Sequence, residues 1–216
     1  MAGILAVWND VDPKGYAHYE HWYNREHLHE RVGVPGFRFG RRYELVSGGD
    51  RRFFTFYEVD GPEVLTSPAY MQRLENPTAW TRDAMASFRG MVRTVCDLRR
   101  SEGNLMGGFV TVLRADQAFQ PGPSTDAFVT DLIMQDGIAR VQIWTAAAMQ
   151  TATDTAEMKM RGQDQLIAGA IVVECLRRAD ADRVQGVLAR GMADTLGLSG
   201  ATALGIYQLL CMATPA

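Results

Sequence analysis

Histidine is missing from almost the whole of this chain. Its four histidines all lie between His18 and His29, and no other segment contains one. Histidine is the side chain whose proton equilibrium lies closest to neutral pH, and it is the commonest metal ligand in proteins. Any imidazole chemistry of this protein therefore has to start from this single segment.

Three further features are scarce or absent, and each argues against a class of protein. No apolar run approaches the roughly 18 residues that a membrane-spanning helix needs, and the first residues lack the basic start of a signal peptide. A net charge of −3 provides no basic surface for nucleic acid or an anionic membrane. The three cysteines, Cys96, Cys175 and Cys211, lie in apolar runs, which predicts reduced thiols in a cytoplasmic protein.

The histidine-bearing segment is predicted to form a helix over residues 16–32, because it lacks Pro and Gly and ends at the turn of residues 33–36. At about 100° per residue, its aromatic side chains share one face, which we expect to be buried. That face holds Tyr19, Trp22, Tyr23, Glu26 and Glu30, with His27 at its edge, whereas His18, His21, Arg25 and His29 lie opposite.

Two of these residues stand out chemically. A carboxylate on an apolar face needs either a partner or a chemical task, so Glu26 and its neighbour His27 have a structural and a functional interpretation. His18 and His21 lie one turn apart and could hold a metal ion together. No Cys/His cluster at zinc spacing supplies the further ligands, so a solvated polar face is the favoured interpretation of these two histidines.

Both halves of the chain have the same predicted order of elements, βαββαβ. The first half has strands at 3–11, 37–46, 51–60 and 91–100, around the 16–32 helix and a helical stretch that Pro68 and Pro77 interrupt. The second half has strands at 106–115, 138–146, 167–176 and 203–213, helices at 126–135 and 180–197, and a long polar stretch at 149–165.

This order predicts an α+β fold of two tandem ferredoxin-like repeats, residues 1–100 and 106–216, with a linker at 101–105. Helices cover only one face of each sheet, so the other faces are expected to pack sheet to sheet, as an intrachain dimeric α/β barrel. The second repeat contains no histidine, which suggests that it is structural.

The segment from His21 to Leu45 resembles the EthD-like branch of the dimeric α/β-barrel superfamily, in which an aromatic, histidine-bearing helix end runs into a Val-Pro-Gly-Phe turn and an Arg-Arg-Tyr strand. Residues 58–80 are also similar to the second-helix region of that family. The resemblance covers residues 3–100 and places His27 at the helix-end histidine, whereas His29 stands where Pro is usual. Residues 106–216 match only by the order of their elements.

The resemblance implies a cleft between the first helix and the sheet. Its relatives range from accessory proteins of organic-compound degradation to isomerases, cyclases, cofactor-free monooxygenases and haem enzymes, so the fold does not select a reaction. The leading hypothesis is a cofactor-independent lyase, isomerase or cyclase that acts by proton transfer on a small, mostly apolar or aromatic organic molecule. Neither nucleic acid nor membrane is an expected partner, and whether the chain forms a homo-oligomer is left open.

In this hypothesis His27 is the general acid/base, and Glu26 or Tyr23 orients it or shuttles the proton. Strand alternation places Arg41 in a row of aromatic side chains, where it either pairs with a carboxylate such as Glu26 or binds an anionic group. The substrate-binding candidates are Trp22, Arg41, Tyr19, Trp8 and Tyr57, and the strand register decides between Trp8 and Asn9.

Two alternatives remain. The first is a non-catalytic ligand-binding or accessory protein that uses the same cleft. The second, less favoured, is a haem-binding protein, because the haem-binding relatives that the resemblance brings in place their ligating histidine in the second repeat, where this chain has none.

We expect no bound transition metal, because His18 and His21 should face solvent beside Arg25. Elemental analysis of protein purified without a histidine tag should find far less than one zinc, iron or copper ion per chain. A stoichiometric metal would contradict this expectation and make the helix a metal site.

Overall fold

A computed structural model describes residues 1–119, 122–151, 154–200 and 202–216, the side chains of residues 192–194 excepted. Eight strands lie close to the positions that the hydrophobic pattern predicts. They are β1 (Gly3–Val11), β2 (Phe37–Gly48), β3 (Phe53–Val59), β4 (Phe88–Glu102), β5 (Phe109–Ala115), β6 (Ile138–Ala146), β7 (Gly169–Cys175) and β8 (Thr202–Ala213).

The predicted 16–32 helix is present in three parts: α1 (Tyr16–Trp22), a π-helical turn (Tyr23–His27) and α2 (Leu28–Val32). No helix of the described residues is both long and apolar enough to cross a membrane. The remaining helices are α3 (Pro68–Glu75), α4 (Ala79–Met85), α5 (Pro123–Ile133), α6 (Ala156–Arg161) and α7 (Arg178–Asp194), with short 3-10 turns at Pro13–Gly15 and Pro62–Thr66.

The eight strands form a closed antiparallel barrel in the order β1-β3-β2-β8-β5-β7-β6-β4. Strands of the first half are contiguous in it as β4-β1-β3-β2, and those of the second half as β8-β5-β7-β6. Hydrogen-bonded pairs β2–β8 and β4–β6 join the two halves. The barrel thus lies within one chain and contains strands from both halves.

Large aromatic side chains fill the barrel interior. Trp8 stacks on Phe54 with ring centroids 4.8 Å apart, and Phe56 lies 5.2 Å from Trp144, which belongs to the second half. On β1, Ile4, Ala6 and Trp8 point into this core, whereas Leu5 and Val7 pack on the outer face beneath the helices. The period-2 alternation of a strand therefore divides β1 between two separate cores.

A strand end and a helix differ from the sequence-based expectation. Strand β4 continues through Glu102, into the predicted linker at 101–105, because its last residues pair with β6. The polar stretch at 149–165 contains a helix, α6, that the pattern did not predict. Thr155 begins it by accepting a hydrogen bond from the Met158 N–H over 3.3 Å.

Arg41 pairs with a carboxylate, which is one of the two interpretations of the sequence, but the carboxylate is not Glu26. Alternation places Arg41 correctly in the row of Phe39 and Tyr43, but that row faces the barrel interior and not the cleft. Its Nη1 donates to Glu174 Oε1 over 2.7 Å, and the side chains are 6% and 0% exposed. The expected pairing with Glu26 is therefore not formed.

Loss of one partner of this buried ion pair should be costly, because the remaining charge stays in the barrel without compensation. We expect Arg41→Met to lower the free energy of unfolding, measured by urea denaturation, by about 3–5 kcal/mol. The double variant Arg41→Met/Glu174→Leu should recover most of that loss, since neither charge remains.

Arg38 provides the matched control. It pairs with Glu58 and Asp60, and its side chain is 47% exposed, so Arg38→Met should cost less than about 1 kcal/mol. Equal losses at the two arginines would show that the Arg41 pair is not the buried constraint described above.

Candidate functional site

A small cavity of about 40 Å³ lies between the outer face of the first-half sheet and the helices that cover it. It combines apolar side chains with phenols, guanidiniums, an imidazole and a carboxylate. Its lining residues are Leu5, Val7, Asn9, Tyr23, His27, Arg31, Tyr57, Tyr70, Met85, Phe88, Met91, Arg93, Glu157 and Arg161.

The π-helical turn decides which residues of the first helix reach this cavity. The Leu28 N–H donates to the Tyr23 carbonyl, five residues back, so this turn holds one residue more than an α-helical turn. After this turn, each place on the helical wheel is taken by the residue one position later in the sequence. His27 and Arg31 consequently take the inward places that the wheel predicts for Glu26 and Glu30, and they are 9% and 2% exposed.

Glu26 is turned toward α4 and does not line the cavity. Its Oε1 accepts hydrogen bonds from Thr78 Oγ1 over 2.6 Å and from Thr81 Oγ1 over 3.2 Å. Trp22 Nε1 donates to the same Thr81 hydroxyl over 3.1 Å. Glu26 thus ties the first helix to α4, and direct proton exchange between it and a ligand in the cavity has no geometric basis.

His27 is enclosed by aromatic rings and held neutral. Its ring centroid lies 4.2 Å from that of Trp22 and 5.0 Å from that of Tyr23. Burial, followed by the nearby guanidiniums of Arg31 and Arg161, lowers its pKa well below the usual 6.5. Nδ1 is buried without a hydrogen-bond partner among the described residues. His27 is therefore a neutral imidazole at the cavity wall, and its Nδ1 has no hydrogen-bond partner among the described residues.

Two phenols lie beside this imidazole. The hydroxyl oxygens of Tyr23 and Tyr57 are 3.4 Å apart, and either group can donate to the other. Burial raises the pKa of Tyr23, and burial together with Tyr23 raises that of Tyr57 well above 10. Both side chains are consequently neutral donors at physiological pH.

The second half of the chain contributes charged residues to the same cavity. Glu157 and Arg161, on α6, line it, and Glu157 forms a buried ion pair with Arg31 Nη2. Arg161 in turn pairs with Asp164 at 2.8 Å. The sequence analysis missed these residues, although Thr155 is a helix N-cap of the preferred type and marks the start of α6.

The remaining predicted residues lie outside the cavity wall. Trp8 belongs to the barrel interior, so strand register selects Asn9 as the cavity residue. Tyr19 is fully buried and donates from its hydroxyl to Asn9 Oδ1 over 3.3 Å. Trp22 packs on His27, as described above. Only Tyr23, His27 and Tyr57 of the predicted set line the cavity themselves.

Cavity size alone does not distinguish the two halves. A cavity of about 300 Å³ adjoins the small one and shares Arg93 with it, and another of about 300 Å³ lies between Arg99 of β4 and Phe119 of the second half. Among the described residues, no cluster of three or more His, Cys, Asp or Glu could hold a metal ion. The first-half cavity is set apart by its chemistry, since no histidine exists in the second half.

No protein-family model matches the chain, and no curated protein matches it in sequence. Solved structures do. An anthrone oxidase-like protein superposes with a TM-score of 0.62 at 9% identity, covering 98% of this chain and 92% of that one. A candidate monooxygenase from Lactobacillus acidophilus NCFM has a TM-score of 0.55 at 6% identity, with coverages of 99% and 96%.

A haem-binding protein from Thermus thermophilus has a TM-score of 0.51 at 9% identity, covering 97% of this chain and 91% of that one. The likenesses show the fold alone. At such identities they transfer neither an activity nor a ligand, so the function has to be argued from the cavity.

The neutral state of His27 generates a prediction about pH and stability. Its folded pKa lies below 6.5, so in acid the unfolded chain takes up a proton that the folded chain does not. The free energy of unfolding should therefore fall as the pH drops below about 6.5, by up to about 1.4 kcal/mol per pH unit from this residue. Above that pH the contribution is constant.

Urea denaturation across this range tests the point. His27→Gln should flatten the acid slope, whereas His29→Gln, on the exposed face of the helix, should leave it as in the wild type. An unchanged slope in His27→Gln would mean that the imidazole is not held neutral by the fold.

Proposed function

We propose that this protein is an enzyme that removes a proton from a small organic molecule, with His27 as the general base. The observation that supports it is the neutral, buried imidazole whose Nδ1 has no partner among the described residues, at the wall of a cavity with phenols and guanidiniums. A buried polar atom without a partner costs free energy, so a ligand that forms a hydrogen bond with Nδ1 would remove that cost.

The proposed chemistry follows from the charges around the base. His27 accepts a proton from a C–H or O–H group of the substrate, and negative charge develops on the substrate as the proton is transferred. Guanidiniums and the hydroxyl of Tyr23 or Tyr57 stabilise that charge in a site shielded from water. Burial and the same guanidiniums destabilise the imidazolium, so His27 readily returns its proton to a second position or to a leaving group.

This scheme suits isomerisation, cyclisation or elimination, which share deprotonation as their first step. The names of the structural neighbours, anthrone oxidase-like protein and candidate monooxygenase, add oxidation of the deprotonated substrate, with dioxygen as the electron acceptor, as a further outcome. The reacting end would enter the small cavity, and the rest of the molecule would lie in the adjoining cavity of about 300 Å³ that Arg93 also lines.

We infer further that the chain belongs to the EthD-like branch and consists of two ferredoxin-like repeats. The segment from His21 to Leu45 supports the first inference. The second rests on the strand orders β4-β1-β3-β2 and β8-β5-β7-β6, which are the same when each half is numbered from its own first strand. The site itself belongs to the first repeat, with α6 as the contribution of the second.

One structural neighbour is named a haem-binding protein, but haem fits the described residues of this chain poorly. His27 lines a cavity of about 40 Å³, and His29 lines a separate one of about 280 Å³. Pockets for drug-sized ligands have volumes of about 300–1,000 Å³, and a rigid macrocycle needs a pocket of at least this class. No step of the proposal passes through haem.

Deuterium exchange tests the proposal without knowledge of the product. The protein is incubated in D2O with a panel of small carbonyl compounds and phenols, anthrone included, and loss of the C–H signal is followed by NMR. The wild type should accelerate exchange in at least one compound. His27→Ala should slow that exchange by about 100- to 10,000-fold, because the base is lost.

The matched controls are His18→Ala and His29→Ala, on the exposed face of the same helix, which should be nearly silent. Thermal melting establishes that each variant folds. Full activity of a folded His27→Ala variant would refute the proposed role. Tight binding of a compound with no exchange in any would favour the non-catalytic accessory role.

A further inference from the structure

Three guanidiniums converge on the small cavity from different elements. Arg31 comes from α2, Arg93 from β4 and Arg161 from α6. Their side chains are all buried, at 2% exposure for Arg31, 8% for Arg93 and 5% for the side chain of Arg161. Arginine is charged at any physiological pH, so burial of three such groups together demands compensating negative charge.

The carboxylates of the described residues do not compensate all three. Glu157 pairs with Arg31, and Asp164 pairs with Arg161. Arg93 forms no ion pair within the described residues: its Nη2 donates to Tyr70 Oη over 2.9 Å and to Thr151 Oγ1 over 3.0 Å, both neutral groups. The cluster is therefore one negative charge short.

Neighbouring charged groups do not change this count. Glu30, the nearest further carboxylate on the helix, pairs with Arg73 at 3.8 Å, and that pair is neutral as a whole. His27 is held uncharged by its burial and by the guanidiniums of Arg31 and Arg161. Unused donors remain as well, since Arg31 Nη1 and Arg161 Nε are buried without hydrogen-bond partners among the described residues.

An unused acceptor is also present. Asp164 Oδ1 is buried without a hydrogen-bond partner among the described residues, and it would repel an anion placed against it. Arg93 lines both the small cavity and the adjoining one of about 300 Å³, whereas Asp164 lines the adjoining one and not the small one. A ligand held at Arg93 can therefore extend into either space.

The apolar part of the lining restricts the rest of the ligand. Val7 lies beside Arg93 on the neighbouring strand, and Met91 is two residues before it on β4. Leu5, Met85 and Phe88 complete this apolar lining. A ligand that satisfies both kinds of side chain carries one anionic oxygen group on an otherwise apolar body.

We propose that the substrate of this site is a small organic anion, an apolar molecule with a carboxylate or phenolate group, and that Arg93 binds the anionic oxygen with Arg31 and Arg161 as additional donors. This inference rests on the proposed function only in taking the first-half cavity as the substrate site. It places the anionic group on residues of both halves, so neither half forms the site alone.

Binding measurements with paired probes test it, without any turnover. Benzoate is compared with benzamide, and 4-nitrophenolate with 4-nitroanisole, by calorimetry and thermal shift on the full chain. The wild type should bind at least one anion about tenfold or more tightly than its neutral counterpart, since a guanidinium–oxyanion contact is a charge-assisted bond. A preference for benzoate alone identifies a carboxylate substrate, and one for 4-nitrophenolate alone identifies a phenolate.

The variants locate the preference. Arg93→Met should abolish it, and Arg93→Lys should keep most of it because the positive charge remains. Arg99→Met is the matched control, since Arg99 is exposed and lines a different cavity of about 300 Å³, and it should bind as the wild type does. If Arg93→Met does not melt cooperatively, Arg93→Gln replaces it with the same expected loss of preference, since it removes the charge and keeps a hydrogen-bond donor for Tyr70 and Thr151.

Equal affinity for benzoate and benzamide together with equal affinity for 4-nitrophenolate and 4-nitroanisole would overturn the inference. So would an anion preference that survives in folded Arg93→Met, or one that disappears in Arg99→Met. Anion binding and deuterium exchange of the wild type, taken together, separate this inference from the proposed catalysis. Anion binding that persists without any deuterium exchange in the wild type refutes the catalysis alone, whereas exchange without anion preference refutes the anion site alone.

Discussion

Hydrogen bonding between β4 and β6 is the constraint on which the site depends. The end of β6 pairs with β4, so the chain that follows β6 starts beside the sheet of the first half. The Gln150 side chain then bonds both the N–H and the carbonyl of Val95, each over 2.9 Å, and the backbone of Gln165 bonds Met91 and Arg93. The segment between these contacts is held across β4, and it carries α6 over the cavity of the first half.

The buried charges of the cavity depend on one another. Arg31 stays charged in a dry environment because Glu157 of the second half lies against it. Burial, followed by that positive charge and the one of Arg161, lowers the pKa of His27, so the imidazole is available as a base at neutral pH. Arg161, from the second half of the barrel, therefore contributes to the protonation state of a residue in the first half. The first half alone would contain the histidine without this electrostatic environment.

Much of the fold and part of the site could be predicted from the sequence. Alternation and helical periodicity located all eight strands and the helix of residues 16–32, with His27 toward its buried side. Regular geometry failed after Tyr23, where a turn with one additional residue exchanges Glu26 and Glu30 for His27 and Arg31. Alternation also placed Arg41 correctly in its row of side chains, but it contains no information on which side of the sheet is the barrel interior.

Local pattern by itself therefore determined the element types, their similar order in the two halves of the chain and the restriction of imidazole chemistry to residues 18–29. Each of these follows from side chains within a few residues of one another, where periodicity acts directly. Tertiary structure alone decided the partners of Arg31, Arg41 and Glu26. Those contacts join residues 126, 133 and 52 positions apart, and only closure of the barrel and packing of its helices bring them together.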